Sequence, residues 1–194
     1  NLIIGKTGNS STININSPIA VSDDISIYSG ELTVNNNITS NNSGSDVLFN
    51  SSNITLNAPI TSSGTSTVTI NSSGNVIDGI NGSFVGKIIS TNLLLTGNGN
   101  FNLDSTTNNV SIISAGSNVS RLGSLNFTNS NALVVGSVGS NSGIYTTGTI
   151  AISTLTGDLS VSQNINTQNT STTALILNAS QSTAAGVSSG GDLK

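Results

Sequence analysis

A short figure of apolar and polar residues recurs along this chain of 194 residues and strongly constrains its fold. Each copy places aliphatic residues at positions 1, 3 and 7, and the copies cover residues 13–19, 32–38, 54–60 and 159–165. Their starts are separated by 19 residues (13 to 32), 22 residues (32 to 54) and 105 residues (54 to 159), and 105 is five times 21. A period of about twenty residues is typical of a solenoid or a related repeat fold.

The aliphatic residues also alternate strictly with polar ones, which is the pattern of half-buried strands. Helical spacing of apolar residues is nearly absent, and the frequent Ser, Thr, Asn and Gly favour turns and strands over helix. The alternating pairs are Ile13/Ile15, Ile25/Ile27, Leu32/Val34, Val47/Phe49, Ile54/Leu56, Val68/Ile70, Leu125/Phe127, Ile150/Ile152, Leu159/Val161 and Leu175/Leu177.

The composition does not suit an ordinary globular domain. Charged residues make up 6% of the chain, against about 25% in typical domains, so Asn, Ser and Thr must solvate the surface. Disorder is the alternative for such a polar chain. Leu, Ile, Val and Phe nevertheless supply about 28% of the residues, above the roughly 20% below which disorder is expected.

We therefore predict an all-β fold, a right-handed parallel β-helix (β-solenoid) with roughly nine turns of about 20 residues. Leu32 and Val34 should point into the core, residues 35–37 should turn the corner, and Ile38 should point inward again. Asn suits such corners because it tolerates left-handed backbone and forms stacked amide ladders. Glycine-containing segments 41–46, 96–100 and 137–143 are expected to be loose loops.

Residues 1–194 are predicted to form a single solenoid segment excised from a longer repetitive protein. The triplet at 191–193 repeats the Gly-Asp-Leu at 157–159 and then breaks off. Cut ends of a solenoid expose unpaired strand edges, so end-to-end self-association and contact with other segments of the same chain are expected.

Several function classes are excluded or disfavoured by residue types. The net charge is −4 and the basic residues are scattered, which argues against a nucleic-acid partner. The absence of cysteine removes disulfides and thiolate metal sites. No apolar run is long enough to span a membrane as a helix, so membrane insertion is not expected. We predict no catalytic, cofactor-binding or metal-binding residues.

Two other functions compatible with a β-solenoid were considered. A carbohydrate-active enzyme, a polysaccharide hydrolase or lyase, would need paired carboxylates across a cleft, and only Asp23 and Asp24 are sequence neighbours; a polar corner between Val21 and Ile25 explains them equally. An ice-binding face would need regularly spaced Thr-x-Thr. Such pairs begin at Thr65, Thr67, Thr154 and Thr170, but they do not recur at the repeat spacing.

Alternation also places Tyr28 and Tyr145 on the outer surface. An outward aromatic ring can stack on a sugar, although an isolated surface tyrosine needs no ligand.

Segments 54–70, 123–138 and 156–180 resemble the repeats of filamentous-haemagglutinin-like exoproteins. They are most similar in style to the giant repetitive surface adhesins of Bacteroidetes, a group that includes the gliding-motility adhesins of the SprB type. The resemblance implies a secreted filament of β-helical repeats on the bacterial outer surface, with roles in cell adhesion. It also implies surface glycans and host or neighbouring cell surfaces as partners. The expected function is therefore a non-enzymatic structural and adhesive module, a stiff stalk with a weak multivalent binding surface.

Overall fold

The computed structural model describes residues 1–81, 84–179, 182–184 and 187–189, and these ranges contain strands and turns but no helix. The triplet at 191–193 lies outside the described residues. In chain order the strands are β1 Leu2–Gly5, β2 Thr12–Ile15, β3 Ile19–Val21, β4 Ile25–Val34, β5 Ile38–Ser40, β6 Val47–Leu56, β7 Pro59–Ser62, β8 Thr67–Ser72, β9 Asn75–Asp78, β10 Ile80–Asn81, β11 Phe84–Val85, β12 Lys87–Thr96, β13 Asn100–Leu103, β14 Asn109–Ala115, β15 Ser124–Asn129, β16 Leu133–Val135, β17 Ser137–Val138, β18 Asn141–Ser142, β19 Ile144–Thr146, β20 Ile150–Thr154, β21 Leu159–Val161, β22 Ile165–Thr167, β23 Leu175–Ala179, β24 Ser182–Ala184 and β25 Val187–Ser189.

Successive turns of the chain stack on one another through parallel strand pairing. One column of directly paired residues runs through the stack: Ile13, Leu32, Ile54, Val76, Phe101, Leu125, Ile150 and Leu175. The chain is thus an all-β parallel β-solenoid of about eight turns, which confirms the predicted fold class and comes close to the predicted turn count. Parallel strands lie about 4.8 Å apart, so this stack is on the order of 40 Å long.

Each turn has three sides, which we call A, B and C. Side A contains β1, the first halves of β4 and β6, β8, the end of β12, the end of β14, β16, β19, β21 and β22. Side B contains β2, the second halves of β4 and β6, β9, β13, β15, β20 and β23. Side C contains β3, β5, β7 and the starts of β12 and β14.

The core is a narrow column of inward aliphatic and aromatic side chains. Ile25, Ile27, Phe49, Leu56 and Ile152 are each 0% exposed, and seven of the ten predicted alternating pairs are buried. The remaining pairs lie on the end turns, where Ile13, Val161 and Leu177 are half-buried. Leu175, on the last turn with a described parallel partner, is 45% exposed. Ile15, on the first turn, is 7% exposed. The end turns are therefore less evenly covered than the interior ones, as expected where each turn packs only against its neighbours.

The repeat lengthens along the chain, which explains why about eight turns form where about nine were predicted. The step between paired residues on side B grows from 19 residues (13 to 32) to 25 residues (150 to 175). Two antiparallel hairpins, β10–β11 and β17–β18, take up part of this extra length. The segment 137–143, expected to be a loose loop, contains the second hairpin.

The fourth copy of the repeat figure lies on a different side from the first three. Leu159 pairs with Leu133, and Val161 pairs with Val135, which stacks on Ile113 of side A. The first copies begin on side B. The multiple of 21 that placed the fourth copy in the same register was therefore a coincidence. The figure marks a strand, a corner and the next strand, and such a junction occurs more than once per turn.

The corner at residues 35–37 has the predicted side-chain directions and amide ladders, but not the predicted left-handed backbone. Leu32, Val34 and Ile38 are buried, and Ile38 stacks between Ile19 and Ile60. Every residue with positive φ among those described is a glycine, so the expectation of left-handed Asn at corners is wrong. The predicted amide ladders do stabilise this corner. The Nδ2 of Asn57 donates to Oδ1 of Asn35, and Nδ2 of Asn35 donates to Oδ1 of Asn16, each over 2.9 Å.

Two buried asparagines fasten neighbouring turns from inside the corner between sides B and C. Asn108 and Asn129 are both 0% exposed. The Oδ1 of Asn108 accepts the backbone N–H of Ile88 at 2.7 Å, and Oδ1 of Asn129 accepts that of Val110 at 2.9 Å. Each amide therefore satisfies a strand N–H of the preceding turn, which would otherwise be a buried and unpaired donor.

Candidate functional site

Asp23 and Asp24, the only adjacent acidic pair, lie at the turn between β3 and β4. Asp23 is exposed, and its carboxylate accepts a hydrogen bond from the amino group of Asn1 at 3.0 Å, which holds the pKa of Asp23 below its ordinary value. The Oδ1 of Asp24 accepts the backbone N–H of Asp46 at 2.8 Å. Both carboxylates are thus engaged in contacts within this corner, in agreement with the polar-corner interpretation.

Asp78 is an acidic residue that enters a core column. It stacks on Leu56 at the end of β9, where the flanking turns carry apolar residues. Its Oδ1 accepts the N–H of Asp104, and its Oδ2 accepts the N–H of Ser105 and Nδ2 of Asn108, at 3.1, 2.9 and 3.2 Å. Burial raises the pKa of Asp78 to about 6, the donors from Ser105 and Asn108 oppose this shift, and the nearby Asp104 carboxylate adds to it.

The raised pKa of Asp78 predicts that the protein loses stability as the pH rises. Because the folded chain binds the proton more tightly than the unfolded chain, whose Asp has a pKa near 3.9, the stabilisation is complete below about pH 4. It is lost as the pH passes about 6. The side chain is only half-buried, so we expect a loss of about 1–2 kcal/mol, discounted for solvent screening.

Urea titrations between pH 3.5 and 7.5 measure this slope. Asp78→Asn should flatten it, whereas Asp46→Asn, at an exposed carboxylate, should leave it in place. A slope that persists unchanged in Asp78→Asn would contradict the assignment.

A concave surface lies on the outer corner between sides A and B, over the first five turns. We call it the corner groove. It has a volume of about 370 Å³, and its lining residues are Gly8, Asn9, Tyr28, Ser29, Asn50, Ser51, Ser52, Asn71, Ser72, Ser73, Gly97 and Asn98. A shallower depression adjoins it on side B and shares Gly8, Asn9 and Ser52 with it. None of the lining residues of the corner groove is charged.

The fold of the corner explains why the groove is open. Strands β4 and β6 each run continuously from side A to side B, and their inward serines Ser29 and Ser51 bond to each other at 2.6 Å. At the fifth turn Gly97 has a φ of +93°, and a Cβ there would lie 2.0 Å from the carbonyl oxygen of Ser72. Only glycine fits this backbone, and its missing side chain keeps that end of the groove clear.

Both tyrosines face outward as predicted, but their surroundings differ. The Arg121 guanidinium carbon lies 5.5 Å from the ring centroid of Tyr145, and the same guanidinium donates to Asn118 and Asn166 at 2.9 and 2.8 Å. Tyr145 therefore has a cation–π partner within the chain. Tyr28 has no such contact among the described residues and lines the corner groove.

The Thr-x-Thr pairs do not build a regular array. Thr67 and Thr69 face outward on β8, but Thr69 is stacked between Leu48 and Leu94. Thr154 is 0% exposed and points inward. Leucines therefore lie above and below Thr69, and Thr154 is buried, so these threonines do not form a continuous outer face.

Sequence reasoning identified Tyr28 but missed the corner groove. Asn50 and Asn71 each follow an inward aliphatic pair, and they lie 21 residues apart (50 to 71). That spacing was the available signal. The adjacent and similar Asn, Ser and Thr residues of this chain concealed it.

Within the described ranges, no three acidic side chains converge on a metal-sized site, and no helix could cross a membrane. Comparison of the chain with models of protein families, with curated proteins and with solved structures gives no match.

Proposed function

We propose that this chain is a non-enzymatic structural and adhesive repeat module of a bacterial cell-surface or secreted filament. It acts as a stiff stalk segment, and its outer surface makes weak contacts whose combined strength increases with the number of repeated modules. The observation that carries this proposal is the unbroken core column through about eight turns, enclosed by an exterior of amides and hydroxyls. The resemblance of its repeats to those of filamentous-haemagglutinin-like adhesins supports the extracellular setting.

The stacking favours a stiff element. Strand pairing continues from turn to turn along sides A and B, and along side C over the first five turns, so bending the rod would break parallel ladders and open the core. Among the described strands, β1, β2 and β3 each pair with a neighbour on one side only. Their outer edges offer unpaired backbone groups to a further turn of the same long chain or to a second copy.

The exterior favours weak contacts with uncharged polar partners. Outer positions of side B carry stacked amides, as in the 2.7 Å bond from Nδ2 of Asn126 to Oδ1 of Asn102. Such a surface binds other hydroxyl-rich or amide-rich surfaces through neutral hydrogen bonds, each worth about 1 kcal/mol. Useful adhesion then depends on many copies acting together.

Bead adhesion tests this proposal. Beads densely coated with the chain should be retained on polysaccharide-coated and cell-coated surfaces at least about 100-fold more strongly than the soluble chain, the scale expected for multivalent contacts. The control beads carry the same chain kept unfolded in urea. Equal retention of folded and unfolded coatings would contradict a role for the solenoid surface.

A separate assay addresses the enzymatic alternative. The chain should release no reducing ends or unsaturated sugars from neutral or acidic polysaccharides. Turnover that disappears in Asp23→Ala or Asp24→Ala would replace the adhesive proposal with a carbohydrate-active enzyme. Thermal hysteresis of ice growth would instead establish the ice-binding alternative.

A further inference from the structure

The corner groove contains polar side chains that the chain itself does not use. Asn50 and Asn71 pair in register on β6 and β8, so their amides lie one above the other on the outer surface. Within the described part of the chain neither amide forms a hydrogen bond, and the same holds for the Tyr28 hydroxyl. The Ser52 and Ser73 hydroxyls, on the other side of the groove, are likewise unbonded.

Stacked asparagines elsewhere in the solenoid behave differently. Asn35 and Asn57 bond at 2.9 Å, and Asn102 and Asn126 bond at 2.7 Å, so their amides satisfy each other. The pair in the corner groove is stacked in the same way but keeps its donors and acceptors free. Half-buried amides without partners favour a ligand that supplies hydrogen bonds.

From these contacts we propose that the corner groove binds a neutral oligosaccharide lying along the solenoid axis. This inference deepens the adhesive part of the proposed function and rests on it. A sugar hydroxyl both donates and accepts, and the free amides of Asn50 and Asn71 offer the matching acceptor and donor atoms. Tyr28 adds an apolar ring with a polar tip, the type of surface on which the C–H face of a sugar packs.

The spacing of the groove suits a linear glycan. Successive turns rise by about 4.8 Å, and an extended β-linked pyranose chain advances by a similar distance per sugar. Amides on consecutive turns can therefore meet consecutive sugars. The backbone at the Tyr28 end is fixed, because Nδ2 of Asn9 donates to the carbonyl oxygen of Tyr28 at 3.0 Å.

Charge selects against acidic glycans. No lining residue of the corner groove is charged, Glu31 lines the adjoining depression, and the chain carries a net charge of −4. An anionic polysaccharide would meet no cation among the lining residues, and the Glu31 carboxylate lies beside them. The chemistry thus specifies a neutral chain of hexoses or N-acetylhexosamines.

The test uses the full 194-residue chain with soluble hexasaccharides of known linkage. Cellohexaose, chitohexaose, laminarihexaose and mannohexaose are the neutral probes, and a hyaluronan hexasaccharide is the acidic one. Calorimetry and ¹⁵N chemical-shift changes report affinity and position. At least one neutral probe should bind and shift amides of residues 50–52 and 71–73, and hyaluronan should bind more weakly than that probe.

Matched variants locate the site. Asn50→Ala and Asn71→Ala should each weaken binding by about fivefold, the factor that corresponds to one neutral hydrogen bond, and the double variant should weaken it by more than tenfold. The control is the stacked pair Asn35→Ala/Asn57→Ala, whose amides bond to each other outside the groove, and it should bind as the parent does. Tyr28→Ala should weaken binding, and Tyr145→Ala should not. If Tyr28→Ala fails to fold, Tyr28→Phe should fold and weaken binding by about fivefold.

The outcomes separate this inference from the function on which it rests. Neutral binding that survives the Asn50/Asn71 double variant would overturn the groove assignment and leave adhesion standing. Preference for hyaluronan would overturn the neutral class. Bead adhesion without binding of any neutral hexasaccharide would likewise overturn this inference alone. If no hexasaccharide binds and the coated beads are not retained, the adhesive function is overturned as well.

Discussion

Replacing Asn129 with alanine should lower the free energy of unfolding by about 3 kcal/mol or more. Asn129 is 0% exposed, and its side chain bonds to both backbone polar groups of Val110. Its Oδ1 accepts the N–H of Val110, and its Nδ2 donates to the carbonyl oxygen of Val110, both at 2.9 Å. Nδ2 also donates to the carbonyls of Asn131 and Ala132 at 3.0 and 3.2 Å. Truncation removes these bonds and leaves buried backbone groups without partners, at about 1–3 kcal/mol each.

Urea unfolding followed by circular dichroism measures this loss as a lower midpoint with an unchanged slope. Asn126→Ala is the matched control, because it removes an amide from the outer face of the same strand, where water can replace the lost bond. We expect that variant to lose less than about 1 kcal/mol. Equal losses for Asn126→Ala and Asn129→Ala would show that the interior amide has no special role.

Phe127→Ala should destabilise the solenoid by about 3–5 kcal/mol, the usual cost of emptying a fully buried aromatic site. Phe127 is 0% exposed and stacks between Leu103 and Ile152 in the core column. The neighbouring backbone is held by ladders on both sides, so the cavity cannot close by collapse. Phe127→Leu, which retains part of the apolar volume, should cost roughly half as much.

Hydrogen exchange gives this prediction a spatial test. In a solenoid each turn contacts only its neighbours, so Phe127→Ala should weaken amide protection in β13 and β20 more than in β2. Thr128→Ala, an outward neighbour, should change stability by less than about 0.5 kcal/mol. Uniform loss of protection through the whole stack would contradict the nearest-neighbour description and indicate a single cooperative unit.

Asn129 and Phe127 are both buried, but the sequence alone predicts the burial of Phe127 only. Phe127 belongs to an alternating pair with Leu125, so its burial followed from the pattern. Asn129 continues the same alternation but resembles the many surface asparagines, and nothing local identifies it as buried. Its role depends on Val110 in the preceding turn.

The candidate site likewise has some features that the sequence predicts and others that only the structure shows. Alternation placed Tyr28 and Tyr145 outward, as the structure confirms, but it could not show that Arg121 approaches the ring of Tyr145. Stacked asparagines were expected to form ladders, and several do. That Asn50 and Asn71 stack without bonding depends on the shape of the corner between sides A and B.

The sequence by itself determined the class of fold, because side-chain alternation follows from the pleat of each strand and a single turn cannot bury its own apolar face. Only the tertiary structure decided which turn stacks on which. Hairpins and lengthened turns shifted the register, moved the copy at 159–165 to side A and brought Asp78 above Leu56. The physical reason is that alternation is a property of neighbouring residues, whereas stacking register depends on the summed length of all the intervening loops.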